Sequence, residues 1–423
     1  MWSVNASTAD VVTPESRIAW MDYSEAQRRR MREAIDLLSE KGILDELGVG
    51  TIRDAISDAL FPGTSTIQTR ARYFLLIPWI YKEAERLKVS SARIGAWRKR
   101  REFELTTALL QSGAVDGAFG RQAGKDLRRL ASEVYWLGLG VWGIRRLGAS
   151  QQQYERSLDA LYIQRDGARR PLRDDDGQPL EDGPSSTWHL SLPRAPRPFP
   201  EGATFDLGRD EADYLRDRIR ANAPASFLNV LVGRGPDEPP GKFAWEHPAA
   251  KEAPTRVRRM LDHAQTFSEL MHGASLTYNL MLARAQRNDE LTALYSGRIT
   301  TWAAVIERDP ERFSGWRLSD LLAELPPRTT VRDRTRLFVS EWQSFVAAAT
   351  TSNEPLPSLP DDPRVQRLIR ERESRLKGPE ARLTHPRALE RWRGAAGAGQ
   401  LSFRWSNVLV ITRDINLGLA QDA

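Results

Sequence analysis

Residues 64–81 read TSTIQTRARYFLLIPWIY. Hydroxyls, a glutamine and two arginines crowd the first half, and from Tyr73 onward hardly a side chain is polar. A segment apolar on nearly every face belongs in a core. The stretch therefore predicts a helix capped at Ser65 or Thr66, with its far end buried and only its first two turns able to meet a ligand. Pro78 falls inside it and is expected to kink or split it. The polar start admits two readings. It is a capped entry into a core helix, with its arginines paired to Asp54 and Asp58, or it is a helix N-terminus that grips an anion. The second rests on unpaired N–H groups and a partial positive charge at that end. Thr66 would then add a hydroxyl, Gln68 and Arg72 would share a face at i, i+4, and Arg70 would lie further round. Arginine suits bidentate phosphate contact, and Gln with Arg suits base edges.

Outward from this stretch, the chain reads as almost wholly helical. Ser24 and Gly42 bracket one helical pattern, and Thr51 opens another that Pro62-Gly63 ends. Ser91 and Gly113 bracket a third, the glycine-containing SEVYWLGLGVWGIRR is apolar enough to be buried, and Ser150 caps a further helix. Residues 164–203 are rich in proline, glycine and charge of both signs, which predicts a linker with at most one short extended segment at Trp188–Leu192. Helical patterns resume at 208, the longest of them after Pro254. Period-two alternation is scarce, so a large sheet is not expected. The reading is an all-α, multi-helix, two-lobed assembly. A basic N-terminal lobe covers 1–163, a Pro/Gly-rich loop 164–203, and a second helical lobe 204–423.

Four blocks carry a family resemblance: IAWMDYSEAQRRR, ELGVGTIRDAISDALFPGTSTIQTRARYFLLIPWIY, VYWLGLGVWGIRR and HAQTFSELMHGASLTYNLMLA. Together they resemble a bacterial family of unknown function, domain of unknown function family 6361, over nearly the full length. The resemblance brings no activity and no catalytic residues. It implies an association with DNA-restriction and phage-defence functions, which is context and not mechanism.

The 423 residues are 40% hydrophobic and 28% charged, with a formal net charge of +6. That is the balance of a soluble globular protein. The modest basic excess falls mostly before Ser150, and it suits either a polyanion partner or an ordinary soluble surface. There is no cysteine, which excludes disulfides, thiol nucleophiles and thiolate metal sites. No signal peptide and no membrane-length apolar run is visible, so a cytoplasmic protein without a membrane span is expected.

Three further constellations bear on chemistry. RIGAWRKRREF, residues 93–103, places Arg93, Trp97, Arg100 and Arg101 roughly on one face, with Arg98 and Lys99 beside them. Basic side chains around an aromatic can hold phosphates and stack on a base, or can simply form a solvated face over a packed Trp97. Arg121, Lys125, Arg128 and Arg129 repeat the basic spacing, but GRQAGK lacks the pattern of a P-loop. In DHAQTFSELMHG, Glu269 and His272 have the i, i+3 spacing of helical metal ligands. A di-iron bundle uses that motif twice, and no second copy exists here. The acidic run Asp174–Asp176 has no apolar strand before it to build a nuclease site. Arg-Trp pairs at 391–393 and 404–405 read as core or interlobe packing.

The expectation is a non-catalytic, DNA-associated accessory protein of a phage-defence system, with DNA and another protein of that system as partners and no cofactor. Its nucleic-acid contacts would be Thr66, Gln68, Arg70, Arg72, Arg98, Lys99, Arg100 and Arg101. The alternatives are a protein scaffold whose basic face docks an acidic partner, and a metal-dependent helical enzyme at Glu269 and His272.

Overall fold

The computed structural model describes residues 45–120, 129–168, 186–235, 240–327, 329–351 and 355–421. The predicted helix after Ser24, the cations Arg121, Lys125 and Arg128, and the acidic run at 174–176 lie outside these residues. The longer helices are α1 (Gly50–Leu60), α2 (Tyr73–Arg86), α3 (Ile94–Gln111), α4 (Ala131–Val141), α5 (Gln151–Ala168), α6 (Arg209–Asn222), α7 (Thr255–Ala285), α8 (Asp289–Ile306), α9 (Asp333–Thr351), α10 (Pro363–Lys377) and α11 (Trp405–Leu419). Short helical turns join several of them. Among the described residues there is no strand beyond a single bridge between Arg145 and Trp188. The protein is all-α.

The stretch that opened the sequence reading divides at Tyr73. Residues 73–81 are all buried, and α2 runs unbroken through Pro78 instead of splitting there. The helix does not begin at Thr66, however. Residues 64–72 form turns, because their side chains bind nearby backbone in place of a helical ladder. Thr64 Oγ1 donates to the Phe61 carbonyl, Gln68 Nε2 donates to the Gly63 carbonyl, and Gln68 Oε1 accepts from the Ser65 N–H. The start of α1 also differs from the expected Thr51 cap. The Asp45 carboxylate accepts from the N–H groups of Val49 and Gly50 at 2.6 and 2.7 Å.

Aromatic side chains build the interior around α2. Phe74 stacks on Trp142 with ring centres 3.7 Å apart, and Tyr73 packs on Tyr135, Phe119 and Phe205. Tyr81, Trp136, Tyr154 and Trp188 form a second cluster. Each fully buried aromatic contributes about 1.5–3 kcal/mol. The glycines of α4 do allow the close approach the sequence suggests: a Cβ on Gly138 would stand 2.3 Å from the Gly63 carbonyl oxygen.

The two expected lobes share one continuous core, with buried apolar residues from Leu47 to Ile415 in a single cluster. The described part of the expected linker belongs to it. Trp188, Leu192 and Ala203 are buried, since a Pro-rich segment can still carry apolar anchors every few residues. The C-terminal helix α11 returns to the N-terminal half. Trp405 at its start packs on Phe61 and Phe227, and Arg404 Nη1 pairs with Asp58 and donates to the Thr64 carbonyl. The Arg-Trp pair at 404–405 is thus packing, as the sequence suggests.

Candidate nucleic-acid interface

The chain does place an anion against the turns before α2, and supplies that anion itself. Asp414 on α11 accepts from Arg70 Nε and Nη2 and from the Ala71 N–H, each at 2.9 Å. Burial pushes the Asp414 carboxyl up, with the Arg70 bond pulling it back. Burial also works against the Arg70 charge, but Asp414 outweighs it and the pKa of Arg70 rises. Tyr135 Oη takes the N–H groups of Thr69 and Arg70. Arg72 is held by Glu211 at 2.9 Å and by Thr204. Gln68 is 1% exposed. The polar start is therefore a set of struts between helices instead of an open cationic mouth. Asp54 and Asp58, the expected partners of these arginines, face Arg404. Of this group, Thr66 alone has an exposed side chain.

The basic run on α3 divides in the same way. Arg98 bridges Glu155 at 2.8 Å and Glu102 at 3.1 Å and donates to Ser132 Oγ. Burial raises the Glu102 carboxyl, against the pull of Ser132 and Arg98. Arg101 pairs with Glu83 at 2.6 Å and with Glu104, and it lies over the half-buried Trp97 ring. Lys99 and Arg100 point into solvent, Arg100 3.6 Å from Glu104.

The metal-ligand spacing on α7 is occupied by protein contacts. Glu269 pairs with Arg312 and accepts from Gln265, while burial raises its pKa. His272 bonds the Ala398 backbone, and its Nε2 is sealed from solvent without a hydrogen-bond partner. Burial first, and then Arg298 and Lys242, push His272 down to about 3. No group of three or more His, Asp or Glu side chains stands ready to hold an ion among the described residues.

Free positive charge collects elsewhere. A cleft of about 800 Å³ lies between α2 and the segment PRAPRPFP, residues 193–200. Trp79, Lys82, Glu83 and Arg86 recur at i, i+3, i+4 and i+7, so one face of α2 forms the first wall. Arg194, Arg197 and Phe199 line the second. Two hydrogen bonds pin the segment in place. Trp79 Nε1 donates to the Pro193 carbonyl at 2.8 Å, and Arg101 Nη2 donates to the Phe199 carbonyl at 3.1 Å. Phe199 meets Trp79 edge-on at 5.6 Å and stays partly exposed. Lys82, Arg86, Arg194 and Arg197 are exposed, and none is paired with a carboxylate among the described residues. Glu83, the one carboxylate in the lining, is already neutralised by Arg101. The cleft can hold an anion with an aromatic or apolar face.

The family model that fits the chain covers residues 15–415, and its description is a family of unknown function, DUF6361. The chain belongs to that family. No curated protein and no solved structure matches it. In this family member the cleft is hidden in the sequence for two reasons: Lys82 and Arg86 follow directly on the apolar run that ends at Tyr81, and RAPRPFP has the composition of a linker. A signal was present: two arginines three apart between prolines, whose fixed φ holds the backbone extended.

Proposed function

We propose that this protein is a DNA-associated accessory protein, and that the cleft between α2 and residues 193–200 is its nucleic-acid contact surface. One observation carries this reading: four unpaired cations line a single cleft whose only carboxylate is spent on Arg101. Of the residues expected from sequence, Arg101 ties the two walls together, and Lys99 and Arg100 remain as outer contacts. The phage-defence setting and the partner protein within it come from the family resemblance, and the contact surface comes from the cleft. No helix of the described residues is long and apolar enough to cross a membrane.

Oligonucleotide binding measured against salt tests this. Four phosphate contacts give a slope of about −2.8 for single strands or −3.6 for duplex in log K against log salt, at 0.7–0.9 per contact. Affinity then falls about 50- to 150-fold between roughly 50 and 200 mM salt. Replacing Lys82, Arg86, Arg194 and Arg197 by glutamine should flatten that slope. Absence of binding at low salt, or a slope indifferent to all four substitutions, overturns the proposal. A cleft that took acidic protein but no nucleic acid would leave the scaffold reading in its place.

A further inference from the structure

We propose that the cleft is selective for single-stranded nucleic acid and that Phe199 stacks on an unpaired base. This rests on the reading of the cleft as a nucleic-acid contact. The argument is one of shape and layering. The cations stand along both walls, Lys82 and Arg86 on α2 and Arg194 and Arg197 opposite, and the partly exposed Phe199 ring shares the second wall with the two arginines. Lys82 and Arg86 are one helical turn apart, about 6 Å along the axis. A backbone threading the cleft meets charge on either side and an aromatic ring on one wall.

A duplex cannot use that arrangement. Its phosphates lie outside and its bases are stacked and paired within, so the cylinder meets the cations but offers no base face to the ring. A cleft of about 800 Å³ is the size of a small-ligand site and not of a duplex track. A single strand can send its phosphates to the cations and rotate a base onto the ring. That combination of an electrostatic groove with a stacking platform binds single strands with little sequence preference. Trp79 meets the Phe199 ring edge-on, is itself 3% exposed, and has its indole N–H held by Pro193. Phe199 is therefore the ring that meets the base.

The test uses the full chain, a fluorescent thymidine oligonucleotide as single strand, and the same strand annealed to its complement. The single strand is expected to bind more tightly. Phe199→Ala should weaken single-strand binding about 5- to 150-fold, leave duplex binding unchanged, and leave the salt slope unaltered. Phe199→Leu keeps the packing on Trp79 but lacks a π face, and it should show the same selective loss with an unchanged melting temperature. Equal or tighter duplex binding, or Phe199 variants that weaken both forms alike, overturns the inference and leaves DNA association standing. Failure of both forms to bind overturns the parent proposal and this one together.

Discussion

Acidification should destabilise the protein through His272. The ring sits on α7, with Arg298 and Lys242 both raising the cost of a charge there, and its Nε2 has no acceptor to which a new proton could donate. Its pKa is about 3 in the fold against an ordinary 6.5. Between those values the unfolded chain binds the proton and the folded chain does not, so stability is intact above pH 6.5 and drains away as pH falls. At about pH 5 the gap is 1.5 units, worth about 2 kcal/mol at 1.36 kcal/mol per unit. That is an upper figure, because the residue as a whole is not fully buried. Chemical denaturation followed by tryptophan fluorescence at pH 7.5 and about pH 5 measures the loss, with His272→Gln as reference. The other titrating groups are common to both proteins and cancel. The wild type should lose up to about 2 kcal/mol more than the variant. Equal losses, or a larger loss in the variant, would refute the sealed-ring argument.

Gly138→Ala should destabilise the protein by about 1–3 kcal/mol, since its Cβ would press on the Gly63 carbonyl oxygen at 2.3 Å and that backbone must move. Gly297→Ala on α8, where a Cβ meets nothing within 4 Å, should instead stabilise by about 0.5–1 kcal/mol. Thermal melts of the two variants side by side check the contrast. A double-mutant cycle of Arg70→Ala and Asp414→Ala should return a coupling of about 1–3 kcal/mol, and strict additivity would show that the pair is not a strut.

The helical class and the burial of residues 73–81 were legible, because an apolar run of that length has few other places to go. What residues 64–72 do was not. Threonine, serine and glutamine ahead of such a run cap a helix or fold back on local carbonyls with equal ease, and the tertiary setting, Tyr135, Asp414 and Arg404 included, decides between them. The anion-seeking character of Arg70 was also legible. That the anion is Asp414 was not, because the two lie 344 positions apart and no local pattern links them. Residues 186–203 read as loop and carry no helix, but their packing was hidden for a related reason. Their composition is that of a loop, whereas their place depends on Trp188 and Leu192 finding pockets made by distant helices. The cleft cations Lys82, Arg86, Arg194 and Arg197 escaped notice because two sit behind an apolar run and two among prolines.

The seat filled by Asp414 has a consequence for biosynthesis. Arg70 leaves the ribosome long before its carboxylate is made. At about 5–20 residues per second, some 20–70 s pass between the two. Throughout that interval Phe61 lacks Trp405, the α11 ring that packs on it, and Arg70 lacks Asp414. The nascent chain therefore passes through a prolonged stage with sticky surface uncovered. Its production in cells should depend on holdase chaperones far more than its finished stability would suggest.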